Sequence, residues 1–202
     1  MEFKVVVLGD KGVGKTSLVL RFIEGYFIAK QQSTIGAFFL TKMISAANGT
    51  KCKMQLWDTA GQERFRAMAP MYYRNAAAAI ICFDITNEDS FAKMKEWVEE
   101  LQSNVPADQN ITLAIACNKC DCEESRVVEK ARAEEFGERV GAVVFETSAK
   151  ANIGVEDLFK RVTEEVLTKK GVNSKVGSGA STVSVINSAE GKTAESSSSG
   201  CC

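Results

Sequence analysis

Six short stretches between residues 3 and 146 are dense in apolar and β-branched side chains: FKVVVLG (3–9), AFFLTKMISA (37–46), KCKMQLWD (51–58), AAIICFD (78–84), ITLAIAC (111–117) and AVVFE (142–146). Runs such as VVVL and IICF lack polar alternation, which suits strands buried on both faces of a sheet. Helical patterns lie between them. SLVLRFIEG follows the first stretch, and Val155, Leu158, Phe159, Val162 and Val166 make an apolar stripe near residue 160. Phe91, Met94, Val98, Leu101 and Val105 make another, behind the cap candidates Asp89 and Ser90. This alternation predicts a doubly wound α/β fold: a mostly parallel six-stranded sheet with helices on both faces. Its ligand would sit beyond the carboxyl ends of the strands. A short Asn48-Gly49 turn joins the second and third stretches, which should pair as a hairpin and supply one antiparallel strand. There is no internal repeat.

Composition changes near residue 168. Up to Thr168 there are 21 basic and 24 acidic residues, whereas the last 34 residues carry four Lys, two Glu, nine Ser, five Gly and no aromatic. Such a segment cannot bury enough apolar surface to offset its ordering entropy. The expected organisation is therefore one globular domain over 1–168 and a disordered Ser/Gly-rich tail over 169–202. A net charge of −1 argues against a dedicated nucleic-acid binder. The absence of His removes imidazole zinc sites, Ser-His and Cys-His pairs, and His acid–base chemistry. No apolar run approaches the roughly 20 residues of a membrane span. MEFKVVVLGD offers no basic n-region or cleavage site, so no secretory signal is expected, and the seven Cys should be reduced thiols. Cytosolic α/β enzymes and switches remain.

Directly after the first strand stands Gly9-Asp10-Lys11-Gly12-Val13-Gly14-Lys15-Thr16, then Ser17, a full match to G-x-x-x-x-G-K-[ST] leading into a helix. The glycines let backbone N–H groups turn inward around phosphate oxygens, and the helix N-terminus adds its positive end. Lys15 supplies a point charge and Thr16 a hydroxyl for Mg²⁺. A chance Gly-rich turn is the bland alternative, and its place between a buried strand and a helix argues against it. The motif points to a nucleoside triphosphate without choosing the base.

Asn118-Lys119-Cys120-Asp121 follows the fifth strand on the ligand side. A carboxylate there accepts two hydrogen bonds from N1–H and the exocyclic amine of guanine, where adenine would present a lone pair. A buried polar pair of this kind rejects the wrong base by roughly 10⁴–10⁵. Glu146-Thr147-Ser148-Ala149-Lys150, after the sixth strand, brings a second loop to the same face.

These motifs, with Thr34-Ile35-Gly36 and Trp57-Asp58-Thr59-Ala60-Gly61-Gln62-Glu63, occur in the order of the small GTPases, which the chain resembles. IGAFF, KMQLW, RFRAMA, MYYRNA and ICFDIT, with the terminal Cys201-Cys202, are similar to the Rab family. SLVLRF, APMYYR, NKCD and ETSAKANI look most like its endosomal branch. The likeness runs continuously through residues 3–168. It implies a P-loop GTPase fold that binds GTP or GDP with Mg²⁺ and hydrolyses GTP. By position, the Lys11–Thr16 amides and Lys15 hold the phosphates. Thr16 and Thr34 ligate Mg²⁺, Asp58 supports it, Gly61 contacts the γ-phosphate, and Gln62 orients the attacking water. Phe27 stacks on the base, Asn118 and Asp121 hold and read it, and Lys119 covers it. The Ala149 amide reaches the guanine oxygen, and Lys150 packs over the purine beside Ser148. Segments around 26–40 and 61–74 would switch with the γ-phosphate. No arginine finger is identifiable, so one is expected in trans.

Phe39, Trp57 and Tyr72 match the family's aromatic triad for effector recognition; the plainer reading is three core aromatics. Cys117-x-x-Cys120-x-Cys122 is a poor zinc motif without His or a second pair, and Cys52 and Cys82 read as small core residues. Cys201 and Cys202 end a flexible leash without the C-a-a-X pattern. The resemblance implies dual geranylgeranylation, two chains giving stable attachment where one is marginal. As a coil the tail would hold the domain about 30 Å from a bilayer. The resemblance further implies a monomer working with an exchange factor, an activating protein, a dissociation inhibitor, an escort protein and trafficking effectors. Its place would be the cytoplasmic face of endosomal membranes, with a cytosolic pool. A P-loop metabolic kinase would need a lid, and no Arg-rich lid lies between residues 85 and 145. A pseudo-GTPase scaffold is disfavoured by the intact Thr34 and Gln62.

Overall fold

A computed structural model describes residues 1–61, 69–106 and 109–171. Its strands are β1 (Glu2–Gly9), β2 (Ala37–Ser45), β3 (Lys51–Thr59), β4 (Ala78–Asp84), β5 (Thr112–Asn118) and β6 (Val143–Thr147). The helices are α1 (Lys15–Glu24), α2 (Ala69–Tyr73), α3 (Glu88–Asn104), α4 (Lys130–Val140) and α5 (Val155–Lys169). Together the strands form one sheet in the order β2-β3-β1-β4-β5-β6, with β2 antiparallel to β3 and every other pairing parallel. All six predicted strands are present, to within a residue at each end.

Period-two geometry divides β1 between two cores. Val5 and Val7 pack with Leu18, Phe22, Leu158 and Phe159 on the side of α1 and α5, where Phe22 stacks on Phe159 at 3.9 Å between centroids. Val6 and Leu8 face Phe91, Met94, Trp97 and Phe136 on the side of α3 and α4. Every residue of β4 and β5 is buried, the consequence of their unbroken apolar runs.

Two details depart from the sequence reading. The α3 cap is Asn87, whose Oδ1 accepts the Ser90 amide at 2.9 Å, a contact worth about 1 kcal/mol. Ser90 is instead buried, its hydroxyl accepting the Asp84 amide at 3.0 Å and so tying the end of β4 to the helix; Asp89 lies in the first turn. Helix α5 runs through Lys169, one residue past the expected boundary. The chain reverses direction around β1, between β3 and β4, which leaves a crevice at the strand carboxyl ends.

Candidate functional site

Gly9, Thr59, Asp84, Asn118 and Thr147 end β1, β3, β4, β5 and β6 at one edge of the sheet. Beyond them lies a cleft of about 290 Å³, lined in part by Lys11, Gly12, Gly14, Lys15, Thr16, Ser17, Phe27, Thr34, Gly61, Asn118, Lys119, Asp121, Ala149 and Lys150. Fourteen residues named from sequence thus converge on one space. Helix α1 starts there at Gly14 with no side-chain cap, so its first amides remain for an anion. Gly14 has a positive φ of 96°, and a Cβ there would come within 2.4 Å of Asn118 Nδ2; glycine meets both demands.

Lys15 is buried and donates to the carbonyls of Gly9 at 2.8 Å and Asp10 at 2.7 Å. Burial pulls its pKa down, against the attraction of Cys82, Asp58 and Asp10. An ammonium has three donors, and one remains for a ligand oxygen. A Cβ on Gly61 would sit 2.3 Å from Lys15 Nζ, so that backbone lies directly against the cation.

Thr16 donates its hydroxyl to Asp58 Oδ2 at 2.6 Å. Its proton being spent there, the contact at 2.7 Å between Thr34 Oγ1 and Thr16 Oγ1 has Thr34 as donor. Asp58 is buried, and among the described residues its Oδ1 has no partner. Burial raises its pKa to about 6 despite the Thr16 bond and Lys15. An all-oxygen set around a buried carboxylate with an unsatisfied oxygen suits a hard divalent cation.

Asn118 joins the two halves of the cleft. Its Nδ2 donates to Val13 O in the phosphate loop at 2.8 Å, and its Oδ1 accepts Thr147 Oγ1 at 3.2 Å. Asp121 accepts Ser148 Oγ at 2.6 Å, and Lys150 Nζ lies 3.9 Å from its other oxygen. Lys119, in a left-handed conformation at φ 66°, reaches back to Asp84 at 2.5 Å. Gly9, Val13, Asp58 and Ser148 therefore act from behind the cleft wall. Gln62, Cys201 and Cys202 lie outside the described residues.

A sequence model of the Ras family matches residues 4–168. The chain belongs to this family. It is 49% identical over 165 residues to the human Ras-related protein Rab-31, covering 82% of this chain and 83% of that one. Identity to Ras-related protein Rab-5A of Dictyostelium discoideum is 46% over 178 residues, 88% and 86% of the two chains. To Ras-related protein RHN1 of Nicotiana plumbaginifolia it is 46% over 166 residues, 82% of each. The chain is thus a Rab small GTPase of the endosomal branch, an enzyme that hydrolyses GTP and serves vesicle trafficking.

Several residues of this Rab GTPase's site have no motif to announce them. Ile28, Ala29, Gln31, Gln32 and Ser33 also line the cleft, beside Thr59 of the Trp57–Glu63 motif and Cys122. Arg126, with little exposed side chain, pairs with Glu123 and Glu146 and braces the two base-side loops. Its signal was an isolated Arg among acids, which names no partner. Beside the cleft, Phe39 and Trp57 are cross-strand neighbours with ring centroids 5.4 Å apart, and Tyr72 lies 6.3 Å from Trp57. Phe39 is 52% exposed, so the triad is a surface patch with a half-buried Trp57 at its centre. Burial pushes the Cys117 thiol up to about 12, and Cys52 and Cys82 are core residues as expected.

Proposed function

We propose that this Rab GTPase is a membrane-anchored switch whose GTP form, held with Mg²⁺, recruits trafficking effectors on endosomal membranes. The observation that carries this reading is the Thr34–Thr16 contact, because it brings the 26–40 segment onto the phosphate loop. Thr16 and Thr34 would hold Mg²⁺ with Asp58 behind them, the orphaned Asp58 oxygen being the feature that asks for a cation. Mg²⁺ supplies charge neutralisation at the phosphates. Lys15 and the α1 amides bind and orient the triphosphate, Gly61 offers its amide to the γ-phosphate, and Gln62 orients water in line. Turnover is slow alone and accelerated by an activating protein that brings an arginine.

Asn118, Asp121, Ser148 and Ala149 select guanine, between Phe27, Lys119 and Lys150. Loss of the γ-phosphate frees Thr34 and Gly61, and the Phe39–Trp57–Tyr72 patch repacks with them. Exposed apolar neighbours, Ile35 at 74% and Met71 at 70%, suit a partner surface. Cys201 and Cys202 carry geranylgeranyl groups on the tail, and exchange factor, dissociation inhibitor and escort protein follow from that cycle. The test uses Trp57 itself. Trp97 is the other tryptophan of the chain, buried against the α3 side core, so Trp97→Phe leaves one reporter in the patch. Its emission should differ between GDP and a non-hydrolysable GTP analogue; identical spectra would remove the switch reading.

A further inference from the structure

Arg21 stands on α1, the helix that opens with Lys15 and Thr16, yet its guanidinium reaches the loop after β6. Nε donates to Ala149 O at 2.7 Å, Nη2 to Lys150 O at 3.3 Å and Nη1 to Gly25 O at 2.5 Å. One planar fork thus collects three carbonyls from two segments. Phe27, two residues beyond Gly25, lines the cleft, as do Ala149 and Lys150.

In a trans peptide the carbonyl and the next N–H point in opposite directions. Holding Ala149 O against α1 therefore turns the Lys150 amide away from the helix. Ser148 O is held in turn by the Ile153 amide at 3.1 Å, which turns the Ala149 amide away from that contact. The Ala151 amide closes the loop on Ser148 Oγ at 2.8 Å, and that hydroxyl donates to Asp121 at 2.6 Å. The Ser148, Ala149 and Lys150 carbonyls are thus all taken from behind. Among the described residues the Ala149 and Lys150 amides have no protein acceptor.

We infer that Arg21 is a positioning residue for purine recognition: by holding the Ala149 and Lys150 carbonyls it presents backbone N–H donors to the 6-oxo group of guanine. The inference rests on the guanine reading given above. It adds a mechanical link, because the helix that starts at the phosphates fixes the loop that meets the base. A charged fork suits the task, since a cation strengthens each bond and its planarity fixes direction, whereas Lys offers a point charge without the fork.

The test measures release of GDP and of 6-thio-GDP, which keeps N1–H and the 2-amine but has a weak acceptor at position 6, from the full chain. Wild type should release 6-thio-GDP faster. In Arg21→Met, GDP release should accelerate about tenfold while 6-thio-GDP release changes little, so the gap between them narrows by that factor. Arg21→Lys keeps the charge and stem, and it should narrow the gap partially; it decides the matter if Arg21→Met does not hold nucleotide. Equal acceleration of both nucleotides would show a merely structural residue and overturn the inference. A wild type that does not distinguish the two would overturn the guanine reading itself, and the inference with it.

Discussion

Asp58 accepts the Thr16 hydroxyl through one oxygen at 2.6 Å and keeps the other buried without a partner among the described residues. That asymmetry has a cost in the absence of a cation. The pKa rises from 3.8 to about 6, so between those values the folded chain holds a proton that the unfolded chain releases. Stability contributed by this proton is present at low pH and is lost as pH rises through the window. In chelator, Asp58→Asn should therefore gain on wild type between pH 4 and 6.5, by on the order of 2 kcal/mol. With Mg²⁺ and nucleotide the order should invert, because the amide binds the cation poorly. Thermal unfolding across that pH range reads both signs, and a constant difference between the proteins would contradict the account.

Lys11, within the phosphate loop, is exposed and lines the cleft. A resident ammonium helps hold a triphosphate but opposes an incoming guanidinium. Lys11→Ser should respond better to an activating protein while intrinsic turnover changes little, and the difference should shrink as salt rises. Hydrolysis assayed with and without activator at two salt concentrations checks this. Equal activation at low salt would remove Lys11 from the explanation.

Gln62→Leu should bind GTP but hydrolyse it at least tenfold more slowly, since an apolar side chain cannot orient water. Single-turnover phosphate release is the measurement. A rate equal to wild type would take the role away from Gln62.

Much of this was legible in the chain because the signals were local. Unbroken apolar runs gave β4 and β5, and Asn48-Gly49 gave the hairpin, with Gly49 indeed at φ 79°. The phosphate and base motifs are contiguous, so their residues reach the cleft together. Helix α4 went unread because its packing face is built from Ala133, Phe136 and Gly137, only one of them strongly apolar. Gly137 is there for contact: a Cβ would meet Val144 Cγ2 at 2.3 Å. The α3 cap moved to Asn87 because Ser90 was needed by Asp84, a tertiary demand invisible in sequence. Arg21 was hidden for the same reason, its partners in the loop after β6, Ala149 and Lys150, lying more than 120 positions away.

On the proposed function, Asp121, whose carboxylate accepts Ser148 Oγ at 2.6 Å, reads guanine at the end of this cleft. An amide in its place can donate to the 2-oxo group of xanthine, which an anionic carboxylate repels. Competition binding of GTP and XTP to wild type and Asp121→Asn measures this directly. Wild type should prefer GTP strongly, and the variant should prefer XTP. An unchanged preference for GTP in Asp121→Asn would contradict that reading.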